Sequence, residues 1–134
     1  MNLICRYVVR LPPRTKKNSQ EIRFRDPRRR TQPYIAPSEA FKEYQHNCYP
    51  FLIPRPPAPI SRRVQVVCRF YRDTMRRMDL TNAEEAIDDI LVHYGILADD
   101  NCNVLVSHDG SRVLYDKDDP RTEIEIYALE DNET

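Results

Sequence analysis

The stretch from Asp79 to Gly95 leaves this 134-residue chain the fewest choices of fold. Ala83, Ile87, Ile90, Leu91 and Tyr94 recur at i, i+4, i+7, i+8 and i+11, which lines up one face of an α-helix. Thr81 with Glu84 three residues later has the capping-box pattern, and Gly95 suits the left-handed position just past a helix C-terminus. The spacing predicts a helix from about 82 to 94. Its single apolar stripe must be covered by another layer of structure.

The flanking segments supply that layer. Residues 2–11 are rich in β-formers and stop at Pro12-Pro13; residues 62–72 and 121–129 alternate, the latter with Ile124 and Ile126 inward. Residues 102–108 read as a strand before the Asp109-Gly110 turn signal, with room for a short strand at 112–115. Ala40, Phe41, Tyr44 and Cys48 give a second helical pattern over 38–51, with Ser38 as cap and the prolines from Pro50 to Pro59 ending it. The expected fold is a single α+β (mixed α/β) domain over 1–134 in the order β-α-β-α-β-β, one small sheet packed on two helices. Residues 12–36 are expected to form a flexible basic loop.

A net charge of zero conceals a strong polarity. Residues 1–78 carry 18 Lys and Arg against 5 Asp and Glu, and residues 79–134 carry 3 against 16, so the halves stand at +13 and −13. A basic half suits a polyanion, because each cation that meets a phosphate releases condensed counterions. An acidic half suits divalent cations or a solvated surface. Complementary faces in a self-associating protein would give the same split. The loop at 12–36 alone holds eight cations, Arg14, Lys16, Lys17, Arg23, Arg25, Arg28, Arg29 and Arg30, with Asn18 and Gln32 as polar helpers and Tyr34 as a stacking surface.

Other classes are disfavoured. The N-terminus lacks a signal-peptide pattern and no apolar run is long enough to span a bilayer, so a cytoplasmic protein without a membrane partner is expected. Cys5, Cys48, Cys68 and Cys102 form no CxxC pair and are expected to be reduced, buried or part-buried, and structural. His46, His93 and His108 are expected to be surface or packing residues.

Phosphodiester hydrolysis needs an activated water and a counter to negative charge at phosphorus. Mg²⁺ supplies both and prefers carboxylate oxygen. Asp79 lies at the mouth of the long helix, and Asp99 and Asp100 lie just past its end. They can converge only if the chain folds back along the helix.

Arg76-Arg77-Met78-Asp79-Leu80-Thr81-Asn82, followed by Tyr94-Gly95-Ile96-Leu97-Ala98-Asp99-Asp100, resembles the core of the RusA-type Holliday-junction resolvases. Leu11-Pro12-Pro13 with Asn18, and Tyr34-Ile35-Ala36, are similar more loosely, over about residues 8–128. The resemblance implies Mg²⁺-dependent, symmetric nicking of branched, four-way DNA junctions by a homodimer, in recombination, repair or phage DNA processing. It implies Asp79, Asp99 and Asp100 as metal ligands. Arg76 and Arg77 match its basic run, and together with Lys16, Lys17, Arg28, Arg29, Arg30 and Asn82 are the expected DNA contacts.

Two positions depart from the family pattern. Thr81 stands where the family has an acid, and Glu85 stands where it has a lysine. Glu85, or Asp89 one turn on, is a candidate replacement carboxylate; Lys16 or Lys17 is a candidate replacement cation. Simpler readings are a helix cap for Thr81, a capping or phosphate-binding role for Asn82, a turn for Asp99-Asp100, a solvated helix face for Glu84 and Asp88, and a loop for Asp116, Asp118 and Asp119. A non-catalytic branched-DNA-binding protein of the same fold is the alternative.

Overall fold

The computed structural model describes residues 1–16, 20–24, 33–37 and 39–130, with the segments at 20–24 and 33–37 described through their backbone. A five-stranded mixed sheet carries the fold, in the order β1 (Asn2–Val9), β7 (Arg121–Ala128), β4 (Val64–Arg72), with β5 (Leu105–Ser107) and β6 (Arg112–Tyr115) both parallel to β4 on its other side. The β1–β7 and β7–β4 pairs are antiparallel. A parallel neighbour needs a crossover, and α2 (Leu80–His93) supplies it between β4 and β5. The α+β class and the two helices on one small sheet are as expected.

Register explains the core. Ile124 stands opposite Tyr7 and Cys68, and Ile126 stands opposite Cys5 and Val66, so the period-2 pattern of three strands points one apolar set the same way. Those side chains meet Ala83, Ile87, Ile90 and Leu91 of α2 and Phe41 and Tyr44 of α1 (Glu39–Asn47). Ala40 faces solvent rather than this core. A 3-10 turn at Tyr49–Phe51 follows α1 where Pro50 cannot continue it.

On the opposite sheet face the alternation is charged. Arg69 pairs with Glu123 at 3.4 Å and Glu125 at 2.9 Å, Arg121 with Glu123 at 3.0 Å, and Arg6 approaches Glu125 at 3.9 Å. Basic strands of the N-terminal half thus flank an acidic strand of the C-terminal half.

Three expectations are corrected. The basic stretch is not one loop: β2 (Gln20–Phe24) and β3 (Pro33–Pro37) pair antiparallel within it. Their short Glu-Ile-Arg-Phe alternation is hidden by the arginines and prolines around it. The third strand is shorter than the expected 102–108, because Asn101 receives the amides of Val104 and Leu105 and holds the preceding residues in a turn. That turn also exposes Cys102, while Cys48 and Cys68 are buried; all four cysteines are free thiols.

β5 and β6 leave the middle of β4 without a strand on that side, and side chains fill the gap. His108 Nδ1 lies 2.9 Å from the Val66 carbonyl, and Ser111 Oγ accepts from the Cys68 amide at 2.9 Å. Buried backbone groups need such partners wherever a ladder stops. Gly110, at φ 92°, makes the turn between the two side chains possible.

Candidate active site

Asp79, not Thr81, caps α2. With extended backbone at φ −82° and ψ 124°, its Oδ1 accepts from the amides of Thr81 at 2.9 Å and Asn82 at 3.4 Å. The capping-box reading fails because a carboxylate two residues earlier claims the same helix amides, leaving Thr81 inside the first turn. Both bonds use one oxygen, so Oδ2 points to no partner among the described residues. Just upstream, the Arg72 guanidinium donates to the Arg76 carbonyl, tying down the loop that carries exposed Arg76 and Arg77.

At the other end of α2 a complete C-terminal motif turns the chain back. The Gly95 amide donates to Val92 and the Ile96 amide to Leu91, with Gly95 at φ 71° and both Ile96 and Leu91 fully buried. Leu97 then bridges Ile60, and the Ala98 amide donates to the Ile60 carbonyl. This return path delivers Asp99 and Asp100 alongside the helix. Asp99 Oδ1 accepts the Asp100 amide at 2.7 Å. Partial burial raises the Asp100 pKa, and the adjoining Asp99 and Asp89 carboxylates raise it further.

Lys16 reaches the same face from the opposite half of the sequence. Its Nζ lies 2.5 Å from Asp89 Oδ2 and 6.0 Å from the centre of the Phe41 ring. Buried Pro13 and Thr15 anchor the chain just before it. Glu85 is exposed one turn before Asp89 on the same side of α2.

Asp100, bonded through its amide to Asp99, thus lies within electrostatic reach of Asp89, which Lys16 contacts. Asp79 sits ten residues before Asp89, about 15 Å along the helix axis, and its carboxylate is engaged with the helix amides. Lys17, Asn18, Arg25, Arg28, Arg29, Arg30, Gln32 and Ser38 lie outside the described residues, as do the side chains of Arg23 and Tyr34.

A second cluster overturns the solvated-face reading of Glu84 and Asp88. Asp88 is 7% exposed, its Oδ2 lies 2.8 Å from His108 Nε2, and its Oδ1 is buried with no hydrogen-bond partner among the described residues. Glu84 Oε2 lies 3.5 Å from His108 Nδ1. Burial raises the carboxyl pKa of both acids, while His108 opposes the shift. Burial alone would lower the His108 pKa, but the hydrogen bond and charge of Asp88 outweigh it, so the net shift is upward. With Nδ1–H donated to Val66, the short Nε2–Oδ2 contact requires one further proton held between the ring and the carboxylate. The sequence signal was faint: two acids at i, i+4 bordering the apolar stripe at Ile87 and Leu91.

Among the described residues no group of three or more His, Cys, Asp or Glu side chains forms a ready-made metal cage. Mg²⁺ does not require one, since it keeps several waters and is held through one or two carboxylates plus substrate phosphates. The all-oxygen donors Asp99 and Asp100 are exposed and suit that mode, whereas Asp79 stands apart from them. The chain matches no protein-family model and has no significant match among curated proteins.

Proposed function

We propose that this protein is a Mg²⁺-dependent endodeoxyribonuclease of the RusA type, a homodimer that nicks four-way DNA junctions symmetrically. The observation that carries the reading is the return of Asp99 and Asp100 along α2 to within electrostatic reach of Asp89, which a lysine from the basic segment contacts. Sequence-distant acids on one exposed face, next to a cation, are what a phosphodiester substrate requires. Asp99 and Asp100 would hold the metal, which would supply a water acidic enough to attack at neutral pH and a counter-charge at phosphorus. Asp79, about 15 Å along the helix axis from Asp89, stands outside that set.

The chain's own residues have separate tasks. Lys16 offsets the acidic face, so a phosphate can approach carboxylates that would otherwise repel it. Arg76 and Arg77, on a loop held by Arg72, take the flanking phosphates. Asn82 gives its amide to Asp79 and so helps fix that carboxylate. Glu85 or Asp89 stands in for the acid that Thr81 replaces. Two such sites related by a two-fold axis match the symmetry of a junction.

A labelled synthetic junction incubated with Mg²⁺ or with EDTA tests this. Paired, symmetric nicks are expected only with Mg²⁺, and Asp100→Asn should abolish them while junction binding persists. Activity that survives both Glu85→Gln and Asp89→Asn would remove those two residues from the mechanism. The alternative of a non-catalytic branched-DNA binder draws support from the commitment of Asp79 Oδ1 to capping and from the hydroxyl at Thr81. Tight junction binding without nicks under any divalent cation would establish it.

A further inference from the structure

On the side of the molecule formed by the ends of both helices lies a cavity of about 630 Å³, lined by His46, Asn47, Tyr49, Pro50, His93 and Tyr94. Its volume falls within the roughly 300–1,000 Å³ that encloses small organic ligands. None of these lining residues is acidic, in a chain with 21 Asp and Glu. Tyr49 is 49% exposed despite its size. The Arg55 guanidinium lies over the Tyr49 ring at 4.5 Å and the Tyr94 ring at 5.6 Å, and the two rings meet edge-on at 5.8 Å. Tyr94 is fixed in turn by a 2.6 Å hydrogen bond from its hydroxyl to the Gln45 carbonyl. The result is a pair of tyrosine rings with a cation over them, of which Tyr49 remains half exposed.

Asn47 also lines a neighbouring depression of about 180 Å³, together with Leu11, Pro12 and Arg14; Glu43 is its one carboxylate. Arg14 is two residues from Lys16, which sits on the acidic face at Asp89. The shared amide of Asn47 joins the aromatic cavity to the depression that holds Arg14, and the chain runs on from Arg14 to Lys16 in two residues. A π-face paired with a cation, continued by spaced cations, matches an unpaired base and its following phosphates. A folded protein partner would more often meet an apolar centre with a polar rim.

We propose that this cavity binds an unpaired nucleobase of single-stranded DNA, stacked on Tyr49, with the adjoining backbone led past Asn47 and Arg14 toward Lys16. The proposal rests on the DNA-binding part of the function proposed above but not on hydrolysis, so it is tested in EDTA, where no cleavage can occur. The probes are a fluorescein-labelled oligothymidylate of a dozen nucleotides and a duplex of equal length. Tyr49→Ala should weaken oligothymidylate binding roughly 5- to 150-fold, the range expected for loss of one stacked base, with duplex affinity unchanged. Tyr49→Phe should bind as the parent does, and Arg55→Gln should weaken the same probe, with unchanged melting curves showing that the variants fold. Equal loss on both probes, or no loss on oligothymidylate with either Tyr49→Ala or Arg55→Gln, would overturn it. So would a shift of Tyr49→Ala from dimer to monomer in sedimentation, which would mark the cavity as a self-association surface. Failure here alongside intact junction nicking would remove the cavity and leave the nuclease proposal standing.

Discussion

With Nδ1 on the Val66 carbonyl and Nε2 on Asp88, His108 has both ring nitrogens committed inside the structure. Its folded pKa is raised above the ordinary value, about 6.5 in an unfolded chain. A raised pKa contributes stability that is fully present below the unfolded value and is lost as pH rises through the folded one. Asp88, also raised, has the same sign, but its effect starts in the carboxylate range, well below the His108 window. Thermal stability should therefore fall as pH climbs above about 6.5, and His108→Gln should flatten that slope. The substitution strands a buried carboxylate, so a loss of order 3 kcal/mol at pH 6 is expected, read as a shift in the denaturation midpoint. An unchanged slope in the variant would detach the pH dependence from His108. This pair was hard to read in advance because burial of a charge depends on where a distant loop lands. His108 is twenty residues from Asp88, and nothing local marks the contact.

At the scale of elements, α2 was the most legible part of the chain and its two ends were the least equal. The apolar stripe and Gly95 are local signals, and the C-terminal motif follows from them directly. The N-terminus was misassigned by a few residues because Asp79 and Thr81 are both good caps and only backbone geometry decides between them. Strands with clean alternation, such as Arg121–Ala128, were equally plain, whereas the β2–β3 pair was masked by arginine and proline. The C-terminal motif also has a positional consequence, since it aims Asp99 and Asp100 back along the helix. A Cβ at Gly95 would meet only Pro59 Cγ at 4.0 Å, so Gly95→Ala is limited by its positive φ and not by space. It should cost about 1–2 kcal/mol and lower the melting temperature by a few degrees. Gly95→Asn should cost less, because asparagine tolerates that conformation better. Calorimetry on the two variants separates them, and equal costs would contradict the φ argument.

For the whole molecule, the +13/−13 polarity has an intramolecular part. Arg6, Arg10, Lys16 and Arg69 from the basic half all pair with acids of the other half. This accounts for some of the split without any partner, and it weakens the self-association reading. Cations such as Arg14, Arg76 and Arg77 are exposed and stand on the side of the argument that needs DNA. If about six of the chain's cations meet phosphates, the logarithm of junction affinity should fall against the logarithm of salt with a slope near −5. A slope near zero in a fluorescence-anisotropy titration would sink the DNA reading as a whole. No described helix is long and apolar enough to cross a membrane.

The side-chain splice across the middle of β4 has a bearing on how this protein can be altered. Asp109-Gly110 has the polar, glycine-containing look of a permissive insertion point, and both residues are exposed. Yet the residues on either side of it, His108 and Ser111, complete the hydrogen bonding of Val66 and Cys68 at a fixed separation. Adding even one residue there would pull one anchor off the strand to keep the other. Epitope tags, permuted termini and natural length variation should therefore be tolerated poorly at that turn, although its surface position suggests the opposite.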